Sequence, residues 1–187
     1  ASTHVFGDEQ HLFLVDAAEG AIGAGRVFRA NDSAFIDTAD FGPMYENRVR
    51  LLGKRILAAT PAKDQVTLRL YDILSGKDVW SKEFKGKMSV LRTEDPSLTG
   101  IIDSDTGKLT VLDAASGKQV LAAQLNQFRI TLDDLKGLDE PLLLADPERF
   151  YVMLNEAVDT NKVAGGILHN NFNNGLRCLP VNGWVAA

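Results

Sequence analysis

Short apolar runs recur along the chain, and each is followed by the same turn pattern. β-Branched and large apolar residues dominate residues 11–15, 66–71 and 109–112, a composition typical of β-strands. After each run comes an Asp and, four residues later, a Gly, followed by a second short apolar stretch. The pattern predicts a hairpin of two antiparallel strands in each of the three copies.

The repeated turn residues predict a structural role. A carboxylate accepts hydrogen bonds from backbone N–H groups two or three positions on, and Gly tolerates the positive φ at the end of such a turn. Because the same residue types recur in every copy, we interpret them as turn residues and not as catalytic groups. The pairs are Asp16 and Gly20, Asp72 and Gly76, and Asp113 and Gly117.

One further strand-like run precedes each predicted hairpin. These runs are residues 4–6, 55–59 and 98–102, and another follows at 149–154. A unit of at least three strands with a period of about 40 residues is typical of β-propeller blades, whereas a helical repeat would show 3.6-residue spacing. The sequence therefore predicts an all-β chain whose blades have about four antiparallel strands, with apolar residues on both faces of each sheet.

The stretch DILSGKDVW, residues 72–80, resembles the tryptophan-docking repeat of PQQ-like propellers, A-x-D-x-x-T-G-K-x-x-W. Leu70 stands for the Ala of that repeat and Ser75 for its Thr. The resemblance implies that the ring of Trp80 packs against a neighbouring blade. In the other two copies Ala24 and Leu121 occupy the Trp position.

Residues 91–100 also resemble a stretch of uncharacterised bacterial propellers, including those of planctomycetes. The chain is interpreted as one propeller segment, 1–187, of roughly three and a half to four blades. The approximate blades are 1–40, 41–90, 91–140 and an incomplete 141–187. We expect the segment to belong to a larger propeller, with an open blade edge available for self-association or for pairing with a partner.

Two insertions between the repeats predict short helices. Pro43 marks a helix start near residues 43–48. Thr131 and Asp134 have the spacing of a capping box, which predicts one or two helical turns after residue 131.

Composition limits the classes of partner. The net charge is −5, and no apolar run approaches the roughly 20 residues of a membrane helix. We therefore expect no nucleic-acid partner and no membrane span. A single cysteine, Cys178, provides neither a disulfide pair nor a CxxC metal motif, and we interpret it as a buried apolar residue.

The predicted contact surface is a loop rich in amides between residues 169 and 177. Amide groups, an aromatic ring and a guanidinium can bind a polar ligand, a polysaccharide or a partner peptide. The alternative is that these Asn and Gly residues only satisfy turns. The residues that carry the hypothesis are His169, Asn170, Asn171, Phe172, Asn173, Asn174 and Arg177.

No catalytic, cofactor-binding or metal-binding residue is predicted. The three histidines lack metal-ligand spacing, and the sequence has no GxSxG, P-loop or Rossmann motif. Residues 103–107, DSDTG, fit a hairpin turn better than a calcium loop, because a third acidic ligand and the distant glutamate are missing.

Two functions follow as hypotheses. The favoured one is a noncatalytic propeller scaffold that binds a protein or polar ligand. The alternative is a segment of a PQQ-type quinoprotein oxidoreductase whose cofactor site lies partly in other blades. The resemblance alone implies PQQ or calcium as possible cofactors and an extracytoplasmic, periplasmic location. The adjacent cysteine pair of those enzymes is absent from this sequence.

Overall fold

The computed structural model describes residues 2–18, 20–125, 130–136, 138, 141–155 and 183–186. Within these residues the fold is all-β apart from one five-residue helix. The first twelve strands form three antiparallel arrays of four strands, each in sequence order. The predicted fold class, all-β with blade-like sheets of four antiparallel strands, is confirmed.

The first sheet and its following helix span residues 2–46. The strands are β1 (Ser2–Gly7), β2 (His11–Ala18), β3 (Ala21–Arg29) and β4 (Phe35–Ile36), followed by α1 (Gly42–Glu46). Pro43 lies in the first turn of α1, where its missing N–H costs no hydrogen bond. The predicted helix near residues 43–48 is therefore present, beginning one residue earlier and ending two residues earlier.

The second and third sheets repeat the same up-and-down order. The strands of the second are β5 (Arg48–Leu52), β6 (Arg55–Ala62), β7 (Gln65–Asp72) and β8 (Lys77–Lys85). Those of the third are β9 (Met88–Thr93), β10 (Leu98–Asp103), β11 (Lys108–Asp113) and β12 (Gln119–Gln124).

Three later strands form a further antiparallel set: β13 (Leu142–Ala145), β14 (Phe150–Asn155) and β15 (Gly183–Ala186). β14 lies between the other two. A short parallel pairing, Leu142 with Arg92 and Leu143 with Thr93, joins β13 to β9. The first strands of two successive sets thus run side by side in the same direction.

The repeated hairpins show which strands correspond. The turns that begin at Asp72 and Asp113 connect the third and fourth strands of their sheets. In the first sheet the equivalent turn follows β2, the second strand. β1 therefore corresponds to β6 and β10, and no described strand of the first sheet takes the place of β5 or β9.

An apolar core lies between each sheet and the next set of strands along the chain. Along β6, Ile56 and Ala58 belong to the core shared with the first sheet, while Leu57 belongs to the core shared with the third. On β11, Leu112 faces the second sheet and Val111 faces the core that contains β13 and β14. Strands that bury both faces need apolar residues at successive positions, which explains the continuous runs in the sequence.

The second predicted helix is a turn. Thr131 and Asp134 make reciprocal capping-box contacts, with Thr131 N donating to Asp134 Oδ2 at 2.7 Å and Asp134 N donating to Thr131 Oγ1 at 3.3 Å. The next backbone bonds, such as Lys136 N to Asp133 O at 3.1 Å, span three residues instead of four. The capping box therefore closes a tight turn that directs Leu135 into the core. In the described part of the chain, no helix has the length and apolarity needed to cross a membrane.

Candidate functional site

The indole of Trp80 joins the second sheet to the third. Its Nε1 donates to the carbonyl oxygen of Ala114 at 3.0 Å. The ring lies on Gly117, where an added Cβ would be 2.6 Å from the indole. Below the ring, Leu70 and Leu112 belong to the core between the two sheets. The side chain thus binds the β11–β12 turn of the next sheet through both its polar edge and its face.

The turns that begin at Asp72 and Asp113 have the geometry expected from their residues. Asp113 Oδ1 accepts from Ser116 N at 2.7 Å, and Gly117 N donates to Asp113 O at 2.8 Å. Asp72 Oδ1 accepts from Ser75 N at 2.9 Å, and Gly76 has φ +65°. The positive φ suits glycine because a Cβ would be strained there.

Hydrogen bonding lowers the pKa of the Asp113 carboxyl group. The Ser116 hydroxyl contributes most, and the Ser116 backbone N–H adds to it. Both bonds favour the ionised carboxylate. Deprotonation of Asp113 therefore stabilises the turn on which Trp80 lies.

Acid is expected to weaken this turn. Because the pKa is lower in the folded state, the unfolded chain binds more protons, so the contribution of Asp113 is lost as pH falls through its folded pKa. The free energy by which wild type exceeds Asp113→Asn is expected to shrink from pH 5 towards pH 2 in urea unfolding. Ser116→Ala, which removes the largest cause of the shift, is expected to reduce this pH dependence. Parallel loss of stability in wild type and Asp113→Asn would contradict the assignment.

A third turn of the same kind lies at residues 103–107, between β10 and β11. Asp103 Oδ1 accepts from Asp105 N at 2.9 Å, and Asp103 Oδ2 accepts from Thr106 Oγ1 at 2.6 Å. Gly107 N donates to Asp103 O at 2.7 Å, with φ +75° at the glycine. Both carboxylate oxygens are engaged within the hairpin, as the hairpin interpretation of this segment expects.

Asp16 differs from the other turn aspartates. β2 continues two residues past it to Ala18, and a register shift occurs between Val15 and Ala17. Its carboxylate accepts from Thr3 Oγ1 on β1 at 2.8 Å and from Arg26 on β3 at 2.6 Å. Asp16 therefore links three strands across the sheet, while Gly20 takes the positive φ of the turn.

An inserted segment lies between the first and second sheets, where the first copy lacks a tryptophan. The Phe41 ring lies directly on Gly25 of β3 and is fully buried. Asp40 Oδ1 accepts from the backbone N–H groups of Gly25, at 3.0 Å, and Gly42, at 2.9 Å. Ala39 lies over Gly76, the counterpart of Gly117. The missing side chain of Gly25 thus makes room for the Phe41 ring, and the inserted segment takes the place that Trp80 occupies between the second and third sheets.

An open cleft lies between β5 and the β9–β10 region, and we call it the β5–β9 cleft. Its volume is about 370 Å³. Leu57 and Leu91 are buried at its floor, and Arg50, Arg92 and Glu94 supply charge. Its lining consists of Val49, Arg50, Leu51, Leu52, Leu57, Leu91, Arg92, Thr93, Glu94, Pro96, Leu98 and Thr99.

The wall of this cleft is held by polar contacts in the β9–β10 connection. Arg50 on β5 donates from its guanidinium to the carbonyl oxygen of Asp95. Asp95 Oδ1 accepts from Ser97 N at 2.8 Å and from Ser97 Oγ at 2.6 Å. The Ser97 hydroxyl is the main cause of the lowered pKa of Asp95. The β9–β10 connection is therefore fixed by hydrogen bonds within its own turn, and Arg50 links it to the second sheet.

The predicted contact loop, residues 169–177, lies outside the described residues, as does Cys178. Two of the histidines are described, and each contacts a different side chain. His4 Nδ1 is 2.6 Å from the Tyr45 hydroxyl, and His11 Nδ1 is 3.0 Å from Asp8 Oδ1. Among the described residues, no group of three or more His, Cys, Asp or Glu side chains could hold a metal ion.

Comparisons with known proteins give a likeness of structure alone. No family model and no curated protein matches the chain. Among solved structures, the chain is similar to the crystal structure of BamB from Moraxella catarrhalis, at 12% sequence identity and a TM-score of 0.41. The match covers 80% of this chain and 40% of the BamB chain.

Proposed function

We propose that the chain is a β-propeller segment that binds a protein partner and catalyses no reaction. The blades proposed are those that the sequence predicts, approximately 1–40, 41–90, 91–140 and 141–187. Binding takes place in the β5–β9 cleft. The observation that carries this proposal is the cleft itself, an open space of about 370 Å³ whose apolar floor and charged wall lie between two sheets.

The packing around the cleft supports a binding role. Trp80 fixes the third sheet to the second, and Arg50 ties the β9–β10 connection to β5. Because these contacts fix the walls of the cleft, its shape changes little on binding, which lowers the entropic cost of association. Apolar surface with a few fixed polar groups is the usual composition of a binding site.

Photo-crosslinking tests the proposal. A benzophenone amino acid replaces Val49, which lines the cleft and is 37% exposed, or, as the control, Val120 on β12, which is 48% exposed. In cells that produce the protein, we expect one partner, identified by mass spectrometry, to crosslink from position 49 and not from 120. Its purified form is expected to bind the purified chain. Equal adducts from both positions, or none from position 49, would overturn the proposal.

The alternative, a segment of a quinoprotein oxidoreductase, stays a prediction because no described contact tests it. Self-association through an open sheet edge also stays a prediction. The same is true of the ligand role of residues 169–177.

A further inference from the structure

We infer that two copies of this chain bind each other through the outer face of the first sheet, about a two-fold axis. The outer face is the side of β1–β4 that is turned away from the second sheet, and its apolar residues are Val5, Leu12, Leu14, Phe28 and Phe35. This inference goes beyond the proposed function, because it involves neither the β5–β9 cleft nor the partner that binds there.

Strand pairing places these five residues on one side of the sheet. The register gives two cross-strand rows, Val5 with Leu14, and Leu12 with Phe28 and Phe35. Side chains alternate between the two faces of a strand. The residues at intervening positions, such as Phe13 and Val27, accordingly belong to the core shared with the second sheet. The first sheet is therefore apolar on both faces.

The outer face is exposed. Val5 is 62% exposed and Phe35 is 60% exposed, the highest values among the large apolar side chains that the structure describes as exposed, and Leu12 is 39% exposed. On the second sheet, by contrast, Ile56 and Leu57 point to opposite faces and both are buried. An exposed apolar sheet face next to sheets that bury both of theirs indicates a contact surface.

The charges on the outer face favour a second copy as its partner. Asp16 and Arg26 are the charged residues that the strands place on this side, and they form an ion pair with each other at 2.6 Å. The face is therefore neutral, although the chain carries a net charge of −5. Two identical faces can meet without opposing like charges, which would weaken association. A partner with a charged surface finds no unpaired charge here to complement.

The shape of the outer face is complementary to itself. On one side, β1 contributes Thr3, Val5 and Gly7, which are small. On the other, the rings of Phe28 and Phe35 lie 5.7 Å apart and form a ridge along β3 and β4. A two-fold axis through β2 places the ridge of each copy on the low side of the other, so the same contact is made twice.

The size of the face predicts a weak dimer. Four strands about 4.8 Å apart and about six residues long present on the order of 400 Å² in each copy. Two copies bury on the order of 800 Å², which is the size of a transient interface. We expect a dissociation constant of about 10–100 μM. At the low micromolar concentrations of an unfolding measurement the chain is therefore expected to be monomeric.

Sedimentation equilibrium of the purified chain tests the inference. The average mass is expected to rise with concentration from 20.4 kDa towards twice that value. Val5→Asp and Phe35→Lys each place a charge in the contact and are expected to weaken the dimer about tenfold or more. Both positions are largely exposed in one copy, so both variants are expected to keep the wild-type circular dichroism spectrum.

Two variants outside the face serve as matched controls. Val120→Asp on β12 and Val79→Lys on β8 introduce the same charges at side chains that are 48% and 45% exposed. Both are expected to dimerise as wild type does. A loss of the dimer in the controls as well would show that net charge, and not the outer face, governs association.

A mixture of the two face variants tests the two-fold arrangement. Val5 of each copy lies against Phe35 of the other, so in a mixed dimer of Val5→Asp with Phe35→Lys the introduced carboxylate meets the introduced ammonium at one contact. The other contact is that of wild type. We expect the mixture to dimerise more strongly than either variant alone. A mixture that stays monomeric would overturn this arrangement. A wild-type chain that stays monomeric up to several hundred micromolar would overturn the inference and leave the face to a different protein, without affecting the proposed role of the β5–β9 cleft.

Discussion

Trp80→Ala is expected to lower the free energy of unfolding by about 2–4 kcal/mol. The substitution removes a ring that covers Gly117 and Leu112, and it leaves the carbonyl of Ala114 without its donor. Because the lost contact surface lies between the second and third sheets, we expect the substitution to weaken the packing of these two sheets against each other. Urea unfolding followed by circular dichroism measures the change.

Val79→Ala is the control for this prediction. Val79 is the neighbouring residue on β8 and is 45% exposed, so its truncation is expected to cost less than about 0.5 kcal/mol. If the two variants were equally stable, Trp80 would not be joining the sheets.

Phe41→Ala is expected to cost about 3–5 kcal/mol, because the ring is fully buried between the first and second sheets. The glycine beneath it, Gly25, has no side chain that could fill the cavity. The loss is therefore expected at the high end for such a truncation, measured again by urea unfolding.

Phe35→Ala makes the same chemical change at a side chain that is 60% exposed. It is expected to cost less than about 1 kcal/mol, since mainly its contact with Phe28 is lost. A similar cost for both substitutions would show that the inserted segment does not support the packing of the sheets.

The repeated hairpins were predictable because their signal is local. Asp and Gly four residues apart determine the turn through bonds within five residues, and the flanking apolar runs identify the strands. The apolar pattern that predicts a strand is weaker in the first strands of the second and third sheets. β5, with sequence RVRLL, places arginines at two of its five positions, and its pairing with β6 depends on contacts that follow only from the fold.

The replacement of a tryptophan by an inserted segment could not be predicted from spacing. Gly25 follows the first predicted turn in the sequence without a signal of its own, whereas its missing side chain makes room for the Phe41 ring, sixteen residues away. The β5–β9 cleft is likewise formed by two segments that are separated in the sequence. Thr99 is an ordinary strand residue by pattern, and its unpaired hydroxyl is visible only when its surroundings are known.

A double-mutant cycle of Trp80→Ala and Gly117→Ala tests the stacking of the sheets most directly. An added Cβ at Gly117 meets the indole at 2.6 Å, and φ is +69° there. In the wild-type background Gly117→Ala is therefore expected to cost about 2–4 kcal/mol, the sum of overpacking and backbone strain.

In the Trp80→Ala background the ring is gone and only the backbone strain remains, so Gly117→Ala is expected to cost about 1 kcal/mol. The predicted result is a coupling free energy of about 1–3 kcal/mol between the two positions. Additive costs would contradict the docking of Trp80 on the next sheet and, with it, the propeller-like stack on which the proposed function depends.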